Sequence, residues 1–110
     1  VAFKLVKRNK LPVRVKGTLP DDDGKPTDFD FTLNCKRLTQ DEIDALASDK
    51  VAPIKSFIHN VSEGWDAVID GQGQPVPFAT EQLEEMIAIP GMPMMILQCY
   101  LKQVSAVAKN

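Results

Sequence analysis

Asp66 and Asp70 lie four residues apart in GWDAVIDGQGQPVPF, residues 64–78, a stretch that also holds the only tryptophan, Trp65, and three of the six glycines. Two carboxylates so placed could act as acid and base in a hydrolysis, one protonated and one ionised across the same bond. No further acid, base or pocket-forming pattern accompanies them, so the pair reads as structural. Gly71-Gln72-Gly73 lacks the third glycine and the strand-to-helix setting of a dinucleotide- or phosphate-binding loop, and reads as a turn. His59 is the only histidine. On a helix it points away from Ile54, Phe57, Ile58 and Val61, toward solvent, with no nucleophile or ligand cluster near it in sequence. A zinc site would need several Cys or His residues at finger-like spacing, and none occurs. Asp21-Asp22-Asp23-Gly24 sets alternating carboxylates before a glycine, as a calcium loop does. There, however, Leu19 would fill the first ligand position, Asp30 would replace the closing Glu, and the flanks read as strands. The expectation is a chain with no catalytic, metal or cofactor site, and not an enzyme.

Composition narrows the remaining classes. The 110 residues hold 13 Lys and Arg against 15 Asp and Glu, a formal charge of −2, whereas nucleic-acid and anionic-membrane binders usually carry a basic excess. The charge is unevenly placed: Lys4, Lys7, Arg8, Lys10, Arg14 and Lys16 precede every acid, and Asp21, Asp22, Asp23, Asp28 and Asp30 follow. Phe3 is the only aromatic among those bases, too few stacking platforms for a single-strand reader. Two distant cysteines, Cys35 and Cys99, suit a reduced, cytoplasmic setting better than a disulfide scaffold. No apolar run reaches membrane-spanning length. The opening VAFKLVKRNK lacks the apolar core of a signal peptide, and the missing initial Met is expected of a trimmed chain.

The elements that position these residues follow from periodicity. Leu11, Val13, Val15 and Leu19 alternate with polar residues or proline, and so do Phe29, Phe31, Leu33 and Cys35 with polar ones, predicting two half-buried strands joined by the turn residues 20–26. A turn centred near Asp23 sets Lys16 opposite Asp30 and Arg14 opposite Thr32. Phe3-Lys4-Leu5-Val6 offers a third strand. Thr39 and Glu42 have capping-box spacing and Leu38 and Ile43 staple spacing, so a helix starts there, with Ile43, Leu46 and Ala47 inward. Asp49-Lys50 and Ala52-Pro53 end or bend it, and Pro53 suits the first turn of a second helix that stops at Gly64. Thr80 is the expected N-cap of a third helix carrying Leu83, Met86 and Ile87 on one side, broken by Pro90-Gly91. A final helix from Met92 or Pro93 sets Met94, Ile96, Leu97, Tyr100, Leu101, Val104 and Val107 on a broad apolar arc and leaves Met95 and Cys99 outside it. Such a helix is buried between others or covered by a partner. Met92, Met94, Met95, Ile96 and Cys99 are the candidate partner contacts, because clustered methionines suit variable apolar surfaces as well as irregular cores. The fold class is α+β in one domain, residues 1–110: a β-hairpin portion at 1–36, then about four helices at 38–110.

From about Phe57 to Asn110 the order of features resembles a known family: Gly64-Trp65, Val68, a Gly/Asp turn, Pro75-Val76-Pro77-Phe78, an acidic helix through Glu81 and Leu83, and a last helix with Tyr100 ahead of Lys109-Asn110. This pattern is similar to that of the tail assembly chaperones of long-tailed bacteriophages and prophages; the hairpin matches them in character only. The resemblance implies a non-enzymatic protein of the host bacterial cytoplasm that binds the tape-measure protein, keeps its apolar helical segments soluble and helps recruit tail-tube protein. It also implies self-association and absence from the mature virion. Gly64, Trp65, Val68, Pro77, Phe78 and Tyr100 would then shape the fold. The methionine cluster is outside the family pattern. Two other classes fit the same composition: a structural tail or tail-completion protein, and a small nucleic-acid-binding regulator using the basic start.

Overall fold

A computed structural model of the chain describes residues 1–48 and 54–108, without the side chains of residues 46–48. The predicted inward positions of Leu46 and Ala47, the break from Asp49 to Pro53 and the Lys109-Asn110 close lie outside the described residues. Strands β1 (Lys10–Pro20), β2 (Pro26–Lys36) and β3 (Ser62–Asp66) form one antiparallel sheet in the order β1-β2-β3. Helices α1 (Gln40–Ser48) and α2 (Ile54–Val61) lie between β2 and β3 in sequence, and α3 (Thr80–Ile87) and α4 (Met92–Val104) follow. The fold is α+β with an N-terminal hairpin, as the pattern of alternation and helical periodicity predicts.

The hairpin register is the predicted one, with Lys16 opposite Asp30 and Arg14 opposite Thr32. Its ion pair is the diagonal one: Arg14 Nε and Nη2 donate to the two carboxylate oxygens of Asp30, at 3.0 and 2.5 Å. One face of the sheet is apolar, and Leu11, Val13, Val15, Phe31, Leu33 and Cys35 are buried on it. α4 lies against β1 on this face, and α2 packs on α4, with Phe57 and Tyr100 meeting edge to face at 5.0 Å. Tyr100 is fully buried. Its hydroxyl donates to Lys36 O at 2.7 Å and accepts from Leu38 N at 3.0 Å, so both polar valences are used where α4 meets the β2–α1 connection. Burial pushes the phenol pKa up, as expected for a group that must stay neutral there.

The capping box is formed: Glu42 N donates to Thr39 Oγ1 at 3.2 Å and Thr39 N to Glu42 Oε1 at 3.0 Å. Leu38 is buried and Ile43 packs on the same core. Three expectations fail. Residues 3–6 form no strand; the third strand is Ser62–Asp66. Consequently Gly64 does not stop α2, which ends at Val61, but pairs with Asn34 within β3. Thr80 is the first residue of α3 rather than its cap; Ala79 holds the cap position in extended backbone, without a side-chain hydrogen bond.

Candidate functional site

The stretch 64–78 is a small hairpin whose carboxylates are engaged in shaping it. Asp70 Oδ1 accepts from Gln72 N at 2.9 Å and Gln74 N at 3.0 Å, while Asp66 Oδ2 accepts from Asn34 Nδ2 at 3.1 Å. The chain reverses through Gly73, whose φ of +79° suits a residue without Cβ, and returns with Val76 N donating to Val68 O at 2.9 Å. Trp65 anchors the return: its indole N–H donates to Val76 O at 2.8 Å and its ring meets Phe78 edge to face at 5.1 Å. Val68 and Phe78 pack on the core and Pro77 is exposed. Trp65, Val68, Phe78 and Tyr100 thus all pack in or against the core. Gly64 has room for a Cβ and ordinary strand backbone, so neither space nor conformation demands glycine there.

His59 is not free in solvent. It is half-buried, and its ring N–H donates to Glu84, tying α2 to α3. Cys35 is buried under the sheet, where desolvation, followed by the charge of Glu63, pushes its thiol up to about 12 and leaves it unreactive. Among the described residues no group of three or more His, Cys, Asp or Glu could hold a metal ion, and no helix is long and apolar enough to cross a membrane.

The five candidate contacts on α4 divide by position. Met92 and Ile96 are core residues, 4% and 0% exposed, so their place among partner contacts is corrected. The helix presents them, with Tyr100 four residues on, as one stripe facing the sheet and α2. Met95 also turns inward. It caps the gap over Gly17 of β1, where a Cβ would lie 3.0 Å from Met95 Cε and from Phe29 Cζ. The apolar arc read from helical periodicity excludes Met95, because nothing in the sequence marks Gly17 as a point of close approach. Cys99 is half-buried on the same flank. Met94 is 46% exposed, and Leu97, Leu101 and Val104 are half-buried beside it. At 100° per residue these four share the flank opposite Met95 and Cys99, where they set apolar side chains side by side along α4. Val107, placed on the same arc, lies past the helix end and is 84% exposed.

A second apolar surface lies on the sheet itself. Near the hairpin tip the helices leave the core face of the sheet uncovered, and a groove of about 400 Å³ opens over Leu19, Phe29 and Phe31, walled by residues 67–69, Met86 and Ile89. Its signal was the stretch of alternation that extends past Val15 and Phe31 toward the turn, longer than the helices can cover. No family model, curated protein or solved structure matches the chain.

Proposed function

We propose that the protein is a non-enzymatic tail assembly chaperone, which holds the tape-measure protein soluble in the host cytoplasm, promotes tail-tube assembly and is left out of the finished virion. The observation that carries the mechanism is the flank of α4, where Met94, Leu97, Leu101 and Val104 keep apolar surface in contact with solvent. An elongated partner with an apolar helical stripe would be covered there, side by side with α4. Burial would supply about 25 cal/mol per Å² before ordering costs. The methionine at the head of the stripe adapts to unlike partners. Further support is the resemblance over residues 57–110 and the engagement of Asp66, Asp70 and His59 in structural contacts.

Co-expression with a tape-measure protein encoded beside this chain tests the proposal. Soluble tape-measure protein should rise with the wild-type chain and fall back with Met94→Asp, a change at an exposed site that leaves the core intact. Equal insolubility with and without the chain would refute it. Mass spectrometry of purified particles should find the chain absent; a stoichiometric presence would favour a structural tail protein instead.

A further inference from the structure

The groove at the hairpin tip lies beside backbone that can still form hydrogen bonds. Pro20 and Pro26 face each other and neither has an N–H, so theirs is a non-hydrogen-bonded pair of the ladder. Every second pair onward is of the same kind, including Thr18 with Asp28 and Lys16 with Asp30. The backbone N–H and C=O of Asp28 and Asp30 therefore point away from β1. On that side β3 pairs only with residues 32–35 of β2, and at Ala67, φ 66°, the chain leaves the sheet to become the far wall of the groove. The edge at Asp28 and Asp30 is left open, with an apolar floor on one side of it and two carboxylates on the other.

We propose that this edge receives residues 3–6 of a second copy of the chain as an added strand. Phe3 and Leu5 are 78% and 89% exposed, and successive residues of a strand alternate faces. Added at the edge, the segment turns Phe3 and Leu5 into the groove beside Phe29 and sets Lys4 on the acidic face. There Arg14 already holds Asp30, while Asp28 makes no ion pair among the described residues. Apolar character on one face and positive charge on the other are what the edge lacks.

The same chain cannot supply Leu5. Asn9 O accepts from Arg37 N at 2.9 Å, so residues before Lys10 continue the hairpin away from the tip. Gly17, opposite Phe29, is seven residues along β1, about 23 Å from Lys10. Leu5 lies five residues from Lys10, a reach of at most about 18 Å even before the chain reverses. Two copies can exchange segments reciprocally about a two-fold axis, which closes the assembly at a dimer.

Cross-linking in trans tests the placement, using the full chain with Cys99→Ser as background and Cys35 protected by burial. Leu5→Cys mixed with Ile69→Cys, on the groove wall, should give a dimer with a short bismaleimide. Leu5→Cys mixed with Lys102→Cys, on α4, should not. Equal yields from the two mixtures would overturn the proposal, as would a chain carrying both Leu5→Cys and Ile69→Cys that cross-links only within itself. Sedimentation equilibrium adds a reading independent of cross-linking. Phe3→Asp with Leu5→Asp, at exposed positions, should weaken self-association about 100-fold. Unchanged association, or a wild-type chain that is monomeric up to about 1 mM, would also overturn it. These variants leave Met94 and its flank untouched, so failure here and failure of tape-measure binding are read separately.

Discussion

Two turns of this molecule are built alike and supported differently. In residues 21–25 Asp21 Oδ1 accepts from Asp23 N and Lys25 N, Gly24 N donates to Asp21 O, and Asp21 N donates to Lys25 O. In residues 70–74 Asp70 takes the same four bonds with Gln72, Gln74 and Gly73, and the fourth residue is again a glycine near φ +80°. Aspartate first and glycine fourth suffice to write the turn. What surrounds it differs. The first turn ends two strands paired over eleven positions, whereas the second ends a bridge of Ile69 with Pro75 and depends on Trp65 beneath it. A turn sequence thus specifies a reversal, while the persistence of the hairpin comes from side chains elsewhere.

The largest effect should come from removing that outside support. Trp65→Ala deletes the ring that packs on Phe78 and the donor to Val76 O, and should cost about 3 kcal/mol by denaturant unfolding. Hydrogen exchange should then show residues 68–76 opening while residues 18–28 stay protected. Joint loss of protection at both turns would mean that the second hairpin is not locally supported. Next comes Gly17→Val on the long hairpin, where the added methyls press on Met95 and Phe29; about 2 kcal/mol is expected. Pairing the change with Met95→Ala should recover part of the loss, and no recovery would remove the close approach as its cause.

Asp21→Ala and Asp70→Ala compare the turns directly, since each removes one oxygen that accepts two backbone bonds. About 1 kcal/mol is expected at each, with local opening confined to the tip in the first and spreading to Trp65 in the second. The reverse pattern would invert the comparison. The smallest effect belongs to the ion pair beside the first turn. Its hydrogen bond from Arg14 lowers the Asp30 pKa in the folded state, so the contribution is full above the unfolded value and is lost as pH falls through the folded one. Asp30→Asn should therefore flatten the acid limb of the stability profile below about pH 4 and converge with wild type at lower pH. A difference that grows on acidification would contradict the sign.

The sequence was most legible where short-range chemistry decides. Alternation over residues 11–19 and 29–35 set both strands and their register, and Thr39 with Glu42 set the start of α1. Ser62–Asp66 was illegible because Ser, Glu, Gly and Asp carry little strand propensity; this segment is extended because the open edge of β2 accepts it. For the candidate site, helical periodicity found α4 and its apolar excess but misplaced the outward face. Met95 looks inward only because Gly17 leaves space for it, a contact between residues 78 positions apart. Met94 and its flank were within reach of the sequence, whereas the groove depends on where α3, α4 and residues 67–69 stop covering the sheet.

Binding through the α4 flank is tested most directly by titrating isotope-labelled chain with a soluble helical fragment of the tape-measure protein and following backbone amide shifts by NMR. Perturbations should centre on Met94, Leu97, Leu101 and Val104 and be lost in Met94→Asp. A fragment that binds with its perturbations on the polar face of the hairpin, or one that leaves the spectrum unchanged, would contradict the proposed role of α4.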